Sequence, residues 1–235
     1  MKQISFQRVF DTPTVKQGNM NEQAQTPDGR IWEYLKTTEA VSQYMIVSNP
    51  ANTDVDTVSS GSKVINGDTK YPFITEASAG WTAGDYADHW VIVDDGTAEG
   101  QLGKIKDNTA DTLELYDNYA FETILAVADS DVVIRHEPDA EMVAITVLIT
   151  PCKGVAQVAF ASGDYGWFLQ RGIGGVLVGE VITINETITP GDDTEGTGEI
   201  GDTAKGNFDE NTIGRCLVAN TTADKACLAL VNVLG

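Results

Sequence analysis

Asp94, Asp95 and Glu99 crowd a glycine-rich turn within the stretch DDGTAEGQLGKIKDNTADTLELYD, residues 94–117. Two carboxylates do general acid–base work on a glycosidic bond when they face each other across a sugar-sized cleft. The chain carries 35 acids, however, so close pairs arise by chance. Beyond Gly103 the residues alternate, with Lys104 and Lys106 on either side of Ile105, as in a strand with one wet face. Asn108-Thr-Ala-Asp then makes a turn and TLELY returns. The three carboxylates therefore read as a solvated hairpin rim, with Gly96 and Gly100 supplying backbone freedom at the corner.

The other candidate chemistries weaken in the same way. His89 stands near Asp85 and Asp88, which would orient an imidazole, but a triad needs an activated Ser or Cys and no GxSxG elbow occurs. His136, the second of the two histidines, reads as a joint residue. Gly196-Thr-Gly198-Glu-Ile-Gly201 matches GxGxxG literally. A dinucleotide site needs a strand before that motif and a helix after it, and here Asp192, Asp193, Glu195, Glu199 and Asp202 would repel a pyrophosphate. The same acids at 191–210 suit a hard cation in type but lack the EF-hand order, so an exposed loop is expected. Cys152, Cys216 and Cys227 have no metal-ligand spacing and read as buried free thiols. Cys216 and Cys227 flank a turn, which leaves a disulfide between them open. Trp90, inside WVIV, is expected in the core, and Trp81, after a glycine, exposed. No residue is assigned a catalytic, cofactor-binding or metal-ligating role, and enzymatic activity is not expected.

Composition narrows the class. Net charge is −20, which repels phosphate backbones and argues against nucleic-acid binding. No stretch approaches the roughly 20 apolar residues of a membrane span, and MKQISFQRVF lacks the apolar core of a signal peptide. A protein of this kind would stay where it is made until lysis. Its acidity would keep many crowded copies soluble.

Helix signals are scarce. Residues 31–47, IWEYLKTTEAVSQYMIV, read as two strands with a kink, because Ile31, Glu33 and Leu35 alternate with Trp32, Tyr34 and Lys36 and no cap frames a helix. Short strands are expected at 90–93, 103–105, 112–116, 131–135, 143–149, 155–160, 165–170, 175–178, 181–184, 214–218 and 226–233. With 23 glycines as punctuation, this predicts an all-β protein of barrels or sandwiches. The aperiodic segment 49–68 reads as an exposed connection, and His136-Glu137-Pro138-Asp139 as a polar joint. The expected organisation is an extended N-terminal arm at 1–28, a main antiparallel barrel or sandwich at 29–63 plus 139–235, and an inserted barrel-like β domain at 64–138.

Specific motifs then carry a resemblance. Ser162-Gly-Asp-Tyr-Gly-Trp-Phe-Leu-Gln170, followed by the aliphatic GVLV and the turn at Ile188–Asp192, resembles the C-terminal β domain of the capsid decoration (head cement) proteins of tailed bacteriophages. So do Ile213-Gly-Arg-Cys-Leu-Val218, the hydrophobic end strand Cys227–Val233, and Gly29-Arg-Ile-Trp-Glu-Tyr-Leu-Lys36 near the N-terminus. The middle segment, 95–101 with Ile105 and Asn108-Thr109, resembles small β insertions of phage structural proteins. The chain departs from the pattern in its acidic 191–210 loop and in a GIGG where related chains often have a small-Pro step.

The resemblance implies a non-enzymatic virion protein that binds the outer capsid surface, clamps adjacent major capsid subunits and forms a homo-oligomer, with a trimer favoured. It implies no cofactor, no nucleic acid and no membrane partner. An arm with Arg8, Lys16 and the apolar anchors Phe6, Val9 and Phe10 would lie across a neighbouring subunit, and removing residues 1–25 would then weaken capsid binding and leave the fold intact. The alternative is a carbohydrate-binding or adhesion module with Trp81 and Tyr86 as its platform, beside Asp85 and Asp88.

Overall fold

The computed structural model describes residues 1–126, 130–136, 138–142, 152–191, 196–200 and 212–233. It is an all-β protein in which short strands fall into two sheets. The chain divides into two compact units, Met1–Pro50 with Pro138–Gly235, and Ala51–Glu137.

The first unit holds β1 (Lys2–Gln3), β2 (Gln23–Gln25), β3 (Ile31–Thr37) and β4 (Ile46–Ser48). The second holds β5 (Thr53–Val55), β6 (Ser59–Ile65), β7 (Asp68–Thr75), β8 (Trp90–Asp95), β9 (Leu102–Asn108), β10 (Thr112–Leu115) and β11 (Asp131–Arg135). The chain then returns to the first unit with β12 (Asp139–Met142), β13 (Cys152–Val155), β14 (Tyr165–Val178), β15 (Thr187–Pro190), β16 (Gly198–Ile200), β17 (Gly214–Val218) and β18 (Lys225–Asn232). The strand expected at 143–149 and most of the acidic 191–210 loop lie outside the described residues.

The first unit's sheet runs β1-β2-β3-β12-β4-β13-β14-β16-β15-β17-β18. Its organising element is β14, which is long enough to pair twice. The Tyr165–Arg171 half runs antiparallel to β3, and the Arg171–Val178 half antiparallel to β18. The ladder therefore curls back on β14 from both sides and wraps a core of Trp32, Tyr34, Leu169, Val176, Val178 and Val231. A second cluster joins Leu35, Val41, Val47, Phe160 and Phe168. The second unit's sheet runs β5-β11-β8-β9-β10-β7-β6 over a core that includes Val91, Val93, Ile105, Leu113, Phe121 and Ile134. Among the described pairings neither sheet joins its first strand to its last, while the added pairings of β14 with β3 and β18 fold the first unit's sheet back on itself, within the all-β barrel-or-sandwich class that the strand spacing predicts.

Three local departures from the sequence reading have physical causes. Residues 1–28 are not an extended arm. β1 runs parallel to β2, β2 pairs with β3, the Pro13 carbonyl accepts from the Tyr165 N–H at 2.9 Å, and Val9 is fully buried. The inserted unit begins at Ala51 rather than at residue 64, because 53–55 and 59–65 are strands. Asn66 and Gly67 both have positive φ, 53° and 95°, the two-residue turn that joins β6 to β7 as a hairpin. Finally, 165–178 is one strand rather than two, and 181–184 is not a strand. The glycines between Gln170 and Val176 admit neighbours instead of breaking the strand: a Cβ on Gly172 would sit 2.5 Å from Arg30 Cγ, and one on Gly175 2.5 Å from the Tyr44 ring.

Gly214 is the tightest such place against a backbone. A Cβ there would lie 2.2 Å from the Leu230 carbonyl oxygen, which cannot swing aside as a side chain can. Gly214→Ala is expected to cost about 3 kcal/mol, the upper end for overpacking, because β17 must separate from β18. Gly179→Ala, whose Cβ would meet Thr197 Oγ1 at 3.4 Å, is the control and should change stability by about 0.5 kcal/mol or less. Urea unfolding of the two variants measures both.

Candidate functional site

The hairpin at 94–101 forms as its glycines require. Gly96 and Gly100 have φ of 93° and 84°, and the Gly96 N–H donates to Asp95 Oδ1 at 2.7 Å. The Gly100 N–H donates to the Val93 carbonyl, and Ala98 is buried beneath the turn. Asp94, Asp95 and Glu99 point into solvent. Further along the same sheet Lys106 Nζ reaches Glu114 Oε1 at 2.6 Å, a cross-strand pair that raises the lysine pKa through its hydrogen bond to Glu114. These charges solvate a wet sheet face.

Next to β8 the second unit gathers aromatic rings. Trp81 stands edge-on to Tyr86 with centroids 5.8 Å apart, Tyr86 edge-on to His89 at 5.7 Å, and His89 edge-on to His136 at 5.0 Å. His89 is buried and its Nδ1 lies 3.2 Å from the Ala87 carbonyl, while His136 Nε2 lies 2.9 Å from Thr53 Oγ1. Asn108, also buried, accepts from the Tyr86 N–H and donates to the Thr82 carbonyl, which ties the 82–89 loop to β9. Trp81, expected exposed, is half-buried, and it packs with Tyr86 against the core of the second unit. Trp90 shows the reverse exchange. It leaves the core to Val91 and Val93 and lies on the outer side of the sheet, edge-on to Tyr119 at 5.2 Å and under Lys104 Nζ at 5.7 Å.

In the first unit a groove opens between the N-terminal segment and β3, lined by Lys2, Arg8, Asp11, Gln17, Tyr34 and Trp167. Its cavity is about 20 Å³, room for about one water and far below the several hundred Å³ of a small-molecule site. The Tyr34 hydroxyl accepts from the Gln17 N–H at 3.0 Å, and burial raises the pKa of this phenol. Beside the groove the buried Glu33 carboxylate accepts from Gln170 Nε2, and Gln23 Nε2 donates to Gln170 Oε1 at 2.9 Å. The Gln of the YGW-x-x-Q strand thus bonds to both β2 and β3 and fixes their register on β14.

The literal GxGxxG has a packing role. Gly198 opens β16, and a Cβ there would meet Ile188 Cγ2 at 2.6 Å, so glycine lets β16 lie against β15. A strand occupies Gly198–Ile200, where a dinucleotide fold would begin a helix. The cysteines are free and buried, and the thiols of Cys216 and Cys227 hydrogen-bond each other. Burial pushes Cys152 and Cys227 up to about 12 and raises Cys216, so all three are neutral thiols near pH 7 and act as small apolar side chains.

Among the described residues no helix is long and apolar enough to cross a membrane. No family model, no curated protein and no solved structure matches the chain.

Proposed function

We propose that this protein is a non-enzymatic capsid decoration protein of a tailed bacteriophage, binding the outer face of the head and cementing adjacent major capsid subunits, as a homo-oligomer for which the resemblance favours three copies. One observation carries the reading. The sequence segments that resemble decoration proteins are far apart in the chain yet form one continuous patch of sheet. The Gly29–Lys36 motif leads into β3 and supplies Ile31–Lys36 of it, which pair with the YGW strand at the start of β14, Trp167 opposite Tyr34. The GVLV stretch at the end of β14 pairs with the hydrophobic end strand β18, Val176 opposite Cys227. β18 in turn pairs with the IGRCLV strand β17. The segment that resembles phage insertions falls wholly in the other unit.

Cementing needs no catalysis. A partner that binds only the assembled shell stabilises it by mass action, about 2.7 kcal/mol per site at a free concentration a hundred times the dissociation constant. The test is co-sedimentation of the purified protein with heads of the phage that encodes it, after the native decoration is stripped. Saturable binding in fixed proportion to capsid subunits, with heads that then rupture at a higher temperature, is the expected result. Heads that neither bind the protein nor gain heat resistance would refute the reading.

A further inference from the structure

The outer side of the β14-β18-β17 patch is apolar and cationic on a chain of net charge −20. Register places Ile173, Leu230 and Arg215 in one row, Gly175, Leu228 and Val218 in the next, with Arg171 opposite Asn232 before them and Leu177 opposite Ala226 after. Ile173, Leu228, Leu230 and Val218 are 51%, 41%, 47% and 54% exposed. The four rows contain two arginines and no acid, although acids outnumber bases 35 to 15 in the whole chain. Every strand of the patch already has hydrogen-bonded neighbours on both sides, so a partner would meet its face and not extend its edge.

The complementary chemistry occurs on this same chain. The loop after β14, Gly179-Glu-Val-Ile-Thr-Ile-Asn-Glu186, exposes Val181 and Ile184 between Glu180 and Glu186. It is held stiffly: Ile182 is buried with its N–H on Asn220 Oδ1 at 2.7 Å, the Thr183 N–H donates to Glu186 Oε2 at 2.6 Å, and the Asn185 N–H donates to the Cys216 carbonyl at 2.9 Å. A preorganised knob loses little freedom on docking. Its two apolar side chains match the apolar rows, and its two carboxylates match Arg171 and Arg215.

We infer that a second copy of this chain covers the face: the 179–186 loop of one copy docks on the β14-β18-β17 face of the next. Such a contact joins two different surfaces and propagates head to tail, closing into a ring when the rotation allows. This deepens the homo-oligomer part of the proposed function and rests on it only there.

Sedimentation of two variants, singly and mixed, tests it. Leu230→Asp disables the face and Ile184→Asp disables the loop, both at exposed positions, with the unfolding midpoint measured to establish that each variant is folded. The wild-type protein is expected at a small integer multiple of the 25.2 kDa chain mass, and each variant alone at the mass of one chain. The equimolar mixture is expected to form a two-chain species, because one intact loop meets one intact face. A monomeric wild type, a variant that keeps the wild-type mass, or a mixture that stays monomeric would each overturn the inference. Should either aspartate variant fail to fold, Leu228→Ser and Val181→Ser replace them in the same scheme. Head binding is read in a separate experiment: a monomeric wild type that still binds heads would sink the docking contact alone, and ring-forming protein that ignores heads would sink the capsid reading alone.

Discussion

A chain that begins at residue 26 is expected to be less stable than the full chain by about 3–6 kcal/mol, the loss from two fully buried aliphatic side chains at about 1.5–3 kcal/mol each. The two are Ile4 and Val9, and both belong to the main core cluster. The cut also removes β2, whose Ala24 lies opposite Trp32, and Phe10, whose ring stands edge-on to that indole at 6.4 Å. It takes away the Gln17 N–H that reaches the Tyr34 hydroxyl and the Pro13 carbonyl that accepts from Tyr165. Far-UV circular dichroism in urea reads the effect as a lower midpoint. An unchanged midpoint would mean that this segment only lies on the surface. The expectation that residues 1–25 could be removed with the fold intact therefore gives way. A test of attachment by the N-terminal segment should alter Phe6 or Val15, which are exposed, and spare Ile4 and Val9.

That segment shows where the sequence was legible and where it was not. Alternation is visible when a strand has one wet face. The TLEL strand buries Leu113 and Leu115, DVVIR buries Val132 and Ile134, and β18 alternates through most of its length. The N-terminal segment has few apolar residues and no period, since its buried apolar residues, Ile4, Val9 and Ala24, are widely spaced and only Ala24 lies in a strand. Its order comes from contacts with β3 and β14, which local sequence does not encode. The β6-β7 hairpin was hidden differently. Its residues stay half-buried or exposed along most of β6, so hydrophobicity gave no period, yet the Asn66-Gly67 pair was a readable turn signal.

Glycine misled in the opposite sense around β14. Gly172, Gly174 and Gly175 read as a break, but they let Arg30, Leu169 and Tyr44 respectively approach closer than a Cβ would permit. Reading them as punctuation split one long strand in two and hid the element that pairs with both β3 and β18. The outward face of that patch was legible residue by residue, as Ile173, Val218, Leu228 and Leu230, but not as a surface. Assembling it needed the register that aligns three strands. The same applies to Trp90, whose exposure the phase of β8 decided and the flanking residues did not.

Replacing Trp32 by alanine is expected to cost about 3–5 kcal/mol, the largest effect of any single substitution considered for the first unit. Trp32 is fully buried and sits mid-strand on β3, between Ala24 of β2 and Leu169 of β14. Its ring is flanked by Phe10 on one edge and by the Arg30 guanidinium 5.4 Å from its centroid, and the cost depends on how far these two side chains close over the space. Its Nε1 donates to Thr26 Oγ1 at 3.2 Å, and Thr26 is itself buried. Truncation thus leaves both a cavity and an unpaired hydroxyl acceptor. Trp32→Phe separates the two terms, since it keeps most of the volume and removes the indole donor; the lost hydrogen bond alone should cost about 0.5–1.5 kcal/mol. Trp90→Ala, at a half-buried position on the outer side of the other unit's sheet, serves as the comparison and should cost clearly less. Urea unfolding of the three variants gives the order Trp32→Ala, then Trp32→Phe, in distance below wild type. If Trp32→Ala unfolds no more easily than Trp90→Ala, the first unit does not depend on the strand pairing of β2, β3 and β14 described above. The shared sheet patch that supports the capsid reading would then lose its physical basis.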